Sequence, residues 1–239
     1  MLIALMLALA QAEAPAPGDF SRDEDGATLE FHYGWPAAVD AIPALRARLQ
    51  AEMARAHRQA LSYVVENQRR ARRNRIDFNP HMYSKSWEVA GDSGRLIAIT
   101  ADTGAFTGGA HDSRSFSALL WDRQAGAPVA AAALFGGAMR GMSARYCAVL
   151  NRQRVEKREG EEPGEPDDMF NICPPLAEQV MAPADLDHDG RFDTLRVLLA
   201  PYVAGPWTEG DYIVEVPLTA ADVAAIPEGW RDAFESGGG

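Results

Sequence analysis

The sequence predicts an α+β fold, an antiparallel sheet meander with a long amphipathic helix and further short helices packed on it. Apolar residues recur at spacings of three and four from Leu45 to Val64, which is typical of a helix with one buried face. Three segments between Tyr83 and Asp122 instead alternate with a period of two and are joined by short turns, which indicates antiparallel strands. With 239 residues, 47% of them hydrophobic, the chain can bury a sizeable core, so global disorder is excluded.

The elements are expected in a simple order along the chain. The long helix has Asp40 as its predicted N-cap and Pro43 in its first turn, and it ends in an Arg-rich stretch at residues 69–75. Near the C-terminus, Thr219 is expected to cap a short helix that Pro227 stops. The remaining predicted elements are strands at 27–35, 83–89, 95–106, 114–122, 194–203 and 211–218, a second helix at 138–154 and a short helical piece at 176–180.

Both ends of the chain are predicted to lie outside the domain. Residues 1–12 form a short uncharged apolar run ending in a small-x-small pattern, which indicates a secretory signal peptide. The run lacks a basic start, so a short hydrophobic anchor or a mis-set start codon is the alternative. Residues 13–26 are expected to form a linker and residues 228–239 a tail. No other segment approaches the roughly 18 apolar residues of a membrane span, so a periplasmic or secreted protein is expected.

The two cysteines agree with that location. Cys147 and Cys173 flank a strongly polar stretch, and an oxidising compartment favours a disulfide that closes such an excursion. Two unrelated buried thiols are the alternative. A zinc or redox site is not expected, because the pair lacks CxxC spacing.

The segment Asp185-Leu186-Asp187-His188-Asp189-Gly190-Arg191-Phe192-Asp193 resembles a calcium loop. Its pattern offers the carboxylates of Asp185, Asp187, Asp189 and Asp193 and the backbone carbonyl of Arg191, with a glycine for the sharp turn. The twelfth position is Arg196 rather than Glu, and a strand follows instead of a helix. We therefore expect either a calcium site between strands or an Asp/Gly-rich hairpin turn without an ion.

The charge distribution narrows the classes of partner. A formal net charge of -11 argues against a general nucleic-acid binder. Nine Arg and two Glu nevertheless lie between Arg46 and Arg75. This patch either binds an anionic surface such as lipopolysaccharide or an acidic partner, or only complements the helix dipole and the acidic loops.

Several short motifs together point to a known family. Thr107-Gly108-Gly109-Ala110-His111 follows a predicted strand, and Ala200-Pro201-Tyr202 precedes Gly205-Pro206-Trp207. With Ser86-Trp87-Glu88 and Leu120-Trp121-Asp122, their order resembles the extracytoplasmic module of RsiV-type anti-sigma factors, which also precedes the catalytic domain in PdaC-type peptidoglycan deacetylases. On residues alone, His111 is either a turn residue or a general base or metal ligand that lacks an identifiable partner.

The resemblance implies a non-catalytic domain in two abutting halves, a PdaC-associated half at 27–115 and an RsiV-type half at 116–227. In the RsiV branch, such a module binds lysozyme. The chain shows neither an anti-sigma segment nor a deacetylase domain, so those activities are not expected of it. The predicted function is a secreted or periplasmic binding module for a lysozyme-like protein or a peptidoglycan fragment, with His111, Tyr202 and Trp207 as ligand-binding residues. A glycan hydrolase that uses His111 and a calcium-stabilised structural domain are the alternatives, and the oligomeric state is left open.

Overall fold

The large sheet has six strands and confirms the predicted meander. The computed structural model describes residues 18–160 and 170–237, so the predicted signal peptide lies outside the described residues. Strands pair in sequence order, and every pair is antiparallel except β2 and β3. The six strands are β1 (Phe20–Asp25), β2 (Leu29–Trp35), β3 (His81–Asp92), β4 (Leu96–Phe106), β5 (Ser113–Asp122) and β6 (Ala127–Val129).

The parallel pair arises from the connection between its strands. A short helix, α1 (Ala37–Asp40), and the long helix α2 (Pro43–Asn74) carry the chain from the end of β2 back to the start of β3. A crossover of this length places the next strand parallel to the first. We expected Asp40 to be the N-cap of α2, but it is the last residue of α1. Pro43 occupies the first helical turn of α2, as predicted.

The first half of strand β4, residues 96–101, is buried on both faces, which explains its continuous apolar run. Ile97, Ile99 and Ala101 face one core together with Leu45, Leu49 and Val64 of α2, which confirms the predicted helical stripe. Leu96 and Ala98 point to the second core on the opposite face of the sheet.

A second sheet and the remaining helices form that second core. The antiparallel sheet of β7 (Val180–Ala184), β8 (Thr194–Leu199) and β9 (Tyr212–Pro217) packs against β3, β4 and β5 through β7. Helix α4 packs on β9, and the capping box of Thr219 and Asp222 begins α5 as predicted. The helices of this part are α3 (Ala131–Phe135), α4 (Met139–Lys157), α5 (Ala220–Ala225) and α6 (Glu228–Arg231), with 3-10 turns at Leu176–Glu178 and Trp207–Glu209.

Three local predictions are wrong. Residues 20–25, expected in a linker, form β1 and pair with β2. Their acidic sequence gives no apolar pattern from which a partly buried strand could be predicted. Val180, expected at the end of a short helix, is instead the first residue of β7, since the helical piece stops at Glu178. Residues 228–237, expected as a tail, contain α6 and the fully buried Phe234; we call them the C-terminal segment.

The predicted boundary between residues 115 and 116 falls inside β5, so the two halves share that strand. The cysteine prediction is confirmed: Cys147 on α4 and Cys173 form a disulfide with a Cα–Cα distance of 5.7 Å. Within the described ranges, no helix is both long and apolar enough to cross a membrane.

Candidate functional site

The structure brings His111, Tyr202 and Trp207 together into an aromatic cluster, although they come from separate motifs. The imidazole of His111 stacks on the indole of Trp207 with ring centroids 4.2 Å apart. The ring of Tyr202 lies 6.3 Å from that of His111 and 6.1 Å from that of Trp207. His111 and Tyr202 are exposed, and the side chain of Tyr202 keeps 55% of its accessible surface.

Turns at the ends of strands position all three side chains. His111 follows the Gly-Gly bend between β4 and β5, where Gly108 has a φ of 90°. Tyr202 lies in the turn after β8 with a φ of 71°, a left-handed conformation that is costly for a non-glycine residue. Trp207 begins the 3-10 turn behind Pro206.

The hydrogen bonds of His111 define its tautomer. Its Nδ1 donates to the backbone carbonyl of Asp112 over 2.7 Å, so Nε2 is the acceptor nitrogen of the neutral ring. The hydroxyl of Tyr202 lies 3.5 Å from Nε2, at the outer limit of a hydrogen bond. Neither neighbour is a Ser, a Cys or a carboxylate, so these contacts do not build a nucleophile and base pair.

The surface beside the aromatic cluster is acidic. Arg114 is held by the carboxylates of Asp102 and Asp211, the latter accepting from Nη1 over 2.9 Å. The hydrogen bond to Asp102 raises the pKa of Arg114 above its usual value, and the negative charges of the neighbouring aspartates add to this effect. Burial acts in the opposite direction but is outweighed. Two carboxylates bind the guanidinium of Arg114, and Asp112 is a third negative charge near it. Lys157, whose Nζ donates to the backbone carbonyls of Glu209 and Asp211, offsets part of this negative charge.

A cleft of about 650 Å³ lies beside the Gly-Gly bend. It is lined by the C-terminal half of α2, by residues 76–79 and by Thr107, Gly108 and Gly109. Asn67 spans its floor, donating to the carbonyl of Thr107 over 3.1 Å and lying 3.1 Å from Nε2 of His81. Burial lowers the pKa of His81. Sequence patterns do not reveal this cleft, because no spacing rule connects a helix end to a strand forty residues later.

The Asp-rich loop between β7 and β8 has the predicted shape only in part. Ligand atoms of Asp185, Asp187 and Asp189 lie within 4.8 Å of one another. Asp193 does not join them, because its Oδ1 accepts from the backbone nitrogen of Leu186 over 3.3 Å. The side chain of Arg191 points to the C-terminal segment, donating to the carbonyl of Phe234 over 2.5 Å.

The Arg-rich end of α2 is exposed. Arg69, Arg70, Arg72, Arg73 and Arg75 are all accessible, and Arg70 pairs with Glu66 one turn earlier at 3.3 Å. Arg72 and Arg73 lie in the last turn, where cations complement the helix dipole.

The overall arrangement can be compared with known proteins. Residues 23–113 match the family model described as Deacetylase PdaC. The PdaC match runs from β1 to the first residue of β5, so it contains His111 but neither Tyr202 nor Trp207. None of the curated proteins matches the chain significantly.

Two solved structures share the fold over most of the chain. A DUF3298 family protein from Pseudomonas aeruginosa PAO1 has a TM-score of 0.55 at 14% identity, covering 93% of this chain and 98% of that one. A DUF3298 family member from Bacteroides fragilis NCTC 9343 has a TM-score of 0.54 at 13% identity, covering 87% and 91%. With the PdaC match, these neighbours confirm the predicted resemblance to a module of the PdaC/RsiV type. These neighbours show a shared fold, and the disulfide fits an extracytoplasmic location.

Proposed function

We propose that this protein is a secreted or periplasmic, non-catalytic binding module of the cell envelope, and that its ligand is a lysozyme-like protein. The aromatic cluster of His111, Tyr202 and Trp207 carries the proposal. Three rings from two separate loops converge on the surface and keep much of their area exposed. Aromatic side chains of this kind supply most of the binding free energy at many protein interfaces, because they bury a large area at low entropic cost.

Charge favours a cationic partner. The chain carries a net charge of -11. Asp112 directly follows His111 in the sequence, and Arg114, two residues later, binds the carboxylates of Asp102 and Asp211. Such a surface attracts a basic protein and speeds its association, an effect that salt weakens. Lysozyme is the ligand in the RsiV branch that the sequence resembles, and it is basic, so resemblance and charge favour the same ligand.

A peptidoglycan fragment is the second candidate ligand, and the cleft beside the Gly-Gly bend favours it. The cleft has the volume of a small-molecule site, and it offers the amide of Asn67, the guanidinium of Arg70 and the ring of Phe78 to a ligand. Because muropeptides carry carboxylates, the acidic surface disfavours them, and in the cleft Arg70 is paired with Glu66 while Asp77 adds a further carboxylate.

Glycan hydrolysis has less support from the geometry. A hydrolase needs two carboxyl groups, or a nucleophile with a base, at a defined separation across the substrate. The Asp102 and Asp211 carboxylates are instead engaged by Arg114, and His111 contacts two aromatic rings and a backbone carbonyl. The proposal is therefore a binding surface and not a catalytic site.

The proposal is tested by titrating lysozyme into the protein at low and at high salt in a calorimeter. We expect binding that weakens with added salt, and a loss of at least about tenfold in affinity for Tyr202→Ala and for His111→Ala, the loss typical of an aromatic anchor. Both side chains are exposed, so the two variants should keep the melting temperature of the parent.

Leu61→Ala is the matched control, because Leu61 is an exposed apolar residue on the outer face of α2 and lies outside the aromatic cluster. This variant should bind lysozyme like the parent. Absence of binding to lysozyme overturns the proposed ligand, and retention on purified peptidoglycan would then identify the second candidate. Release of soluble glycan fragments from that peptidoglycan would overturn the non-catalytic assignment.

A further inference from the structure

We propose that the Asp-rich loop at residues 185–193 binds Ca²⁺ through Asp185, Asp187 and Asp189, and that Glu235 of the C-terminal segment supplies the carboxylate missing at the loop's twelfth position. Calcium takes six to eight oxygen ligands in a flexible geometry. The three aspartates already converge, with ligand atoms within 4.8 Å of one another. This loop is separate from the aromatic cluster, so calcium binding there does not depend on the proposed lysozyme-like ligand.

The buried carboxylate of Asp185 is the observation that points to a bound cation. Asp185 is only 7% exposed, and its Oδ2 accepts from the backbone nitrogen of Gly190 over 3.0 Å. Its Oδ1 is fully buried and has no hydrogen-bond partner anywhere in residues 18–160 or 170–237. An unpaired buried carboxylate oxygen is costly, and a cation between Asp185, Asp187 and Asp189 would remove that cost.

Arg196, at the twelfth position, is engaged elsewhere. It lies on β8 directly opposite Glu215 on β9, and its Nη2 donates to Oε1 of Glu215 over 2.7 Å. Neither its chemistry nor its direction allows it to replace the bidentate Glu of a helix-loop-helix calcium site. A carboxylate in that role would therefore have to come from another part of the chain.

The C-terminal segment brings Glu235 to the loop. Phe192 donates from its backbone nitrogen to Ala233 over 2.9 Å, and Glu235 donates to the carbonyl of Phe192 over 3.0 Å, so the segment runs beside the loop like a short parallel strand. Arg191 pairs with the carboxylate of Glu235 at 3.2 Å.

A bound ion at this place would connect three parts of the molecule. The backbone nitrogen of Asp185 donates to the carbonyl of Ala90 on β3 over 2.9 Å, at the bulge beside Gly91. A Cβ at Gly91 would lie 2.9 Å from that of Asp185 and 2.7 Å from the ring of Phe192, so the loop packs tightly on the large sheet. The ion would also cancel the repulsion among four carboxylates.

Calorimetric titration of the EDTA-treated full chain with CaCl₂ tests the inference, with Mg²⁺ as the comparison cation. We expect one site per chain and preference for Ca²⁺, with a melting temperature higher by about 4 °C at ten times the Kd. Asp187→Asn should lower the affinity for Ca²⁺ at least about a hundredfold and Glu235→Gln at least about tenfold, since ligand charge sets the affinity of such loops.

Asp232→Asn is the matched control, because Asp232 is an exposed carboxylate of the same C-terminal segment. It should bind Ca²⁺ like the parent. No heat and no change in melting temperature at about 5 mM Ca²⁺, above the Kd of weak extracellular sites, would overturn the site. Parent-like affinity of the Glu235→Gln variant would overturn the role of Glu235. Melting in EDTA checks that each variant is folded.

Discussion

At the scale of single residues, Arg154 shows how a charged side chain can be a core residue. It lies in the polar stretch that the sequence indicates as a surface excursion, yet it is 0% exposed. Its guanidinium donates to the backbone carbonyls of Ala204, Asn171 and Ile172 over 2.9, 3.2 and 3.0 Å. One side chain on α4 therefore provides hydrogen bonds for the turn after β8 and for the chain next to the disulfide.

Replacement of Arg154 by Leu should destabilise the protein strongly. The variant keeps the apolar stem but leaves three carbonyl acceptors without this donor, and each buried acceptor that loses its partner costs about 1 kcal/mol or more. We expect the free energy of unfolding to fall by at least about 3 kcal/mol, measured by urea denaturation. Arg152→Leu, at an exposed position two residues earlier on the same helix, should change it by less than about 0.5 kcal/mol. Equal effects of the two variants would contradict the structural role of Arg154.

At the scale of elements, periodicity predicts those helices and strands that carry a regular pattern of apolar residues. The apolar stripe of α2 and the three strands joined by short turns extend over many residues, and the structure confirms the helix and the antiparallel pairing of β3, β4 and β5. Strand β1 was missed because FSRDED has no alternating apolar face and is only partly buried, with its stability coming from backbone pairing to β2. The parallel pairing of β2 and β3 depends on where a 32-residue helix returns the chain, which no local pattern contains.

The disulfide joins α4 to the chain before the 3-10 turn at Leu176, and its removal tests that link. In the chain-entropy model, closing a loop with a sequence separation of 26 stabilises the fold by about 3 kcal/mol. The double variant Cys147→Ala/Cys173→Ala should therefore unfold at a lower urea concentration than the parent. A reducing agent should shift the parent by a similar amount and leave the double variant unchanged. An unaltered midpoint in both experiments would contradict this contribution.

At the scale of the whole molecule, the sequence indicated candidate residues but not their neighbours. His111, Tyr202 and Trp207 were found from separate motifs, and the fold brings them together because the turns after β4 and β8 lie side by side. Glu235 was missed, since forty-six residues separate it from Asp189 and the C-terminal segment carries no motif. Long-range neighbours depend on how the two sheets pack, which periodicity does not describe.

The C-terminal segment holds the two sheets together, and Asp122 is its anchor on the large sheet. The Oδ2 of Asp122 accepts from the indole nitrogen of Trp230 over 2.9 Å and from Arg95 over 3.0 Å. Its Oδ1 accepts from the backbone nitrogens of Gln124 and Ala125. Further along, Gly237 donates to the carbonyl of Leu218 over 2.9 Å, so the segment contacts both sheets.

Acid should weaken this anchor over a defined range of pH. Burial alone would raise the pKa of Asp122, but hydrogen bonds from Trp230, Arg95 and the backbone outweigh it and lower the pKa to about 2. The folded pKa thus lies below the unfolded value of about 3.9, so the stabilisation is complete above about pH 5 and is lost as the pH falls from 4 to 2. The difference corresponds to about 2 kcal/mol at neutral pH.

Urea denaturation between pH 7 and pH 2 measures this loss directly. Asp122→Asn should be less stable than the parent at pH 7 by about 2 kcal/mol, and this difference should shrink as the pH falls to 2, where about half of the parent carboxyl groups are protonated. Asp232→Asn, at an exposed position of the C-terminal segment, should follow the parent at every pH. A constant difference between Asp122→Asn and the parent across the whole range would show that the side-chain shape of Asp122, and not its charge, joins α6 to the sheet.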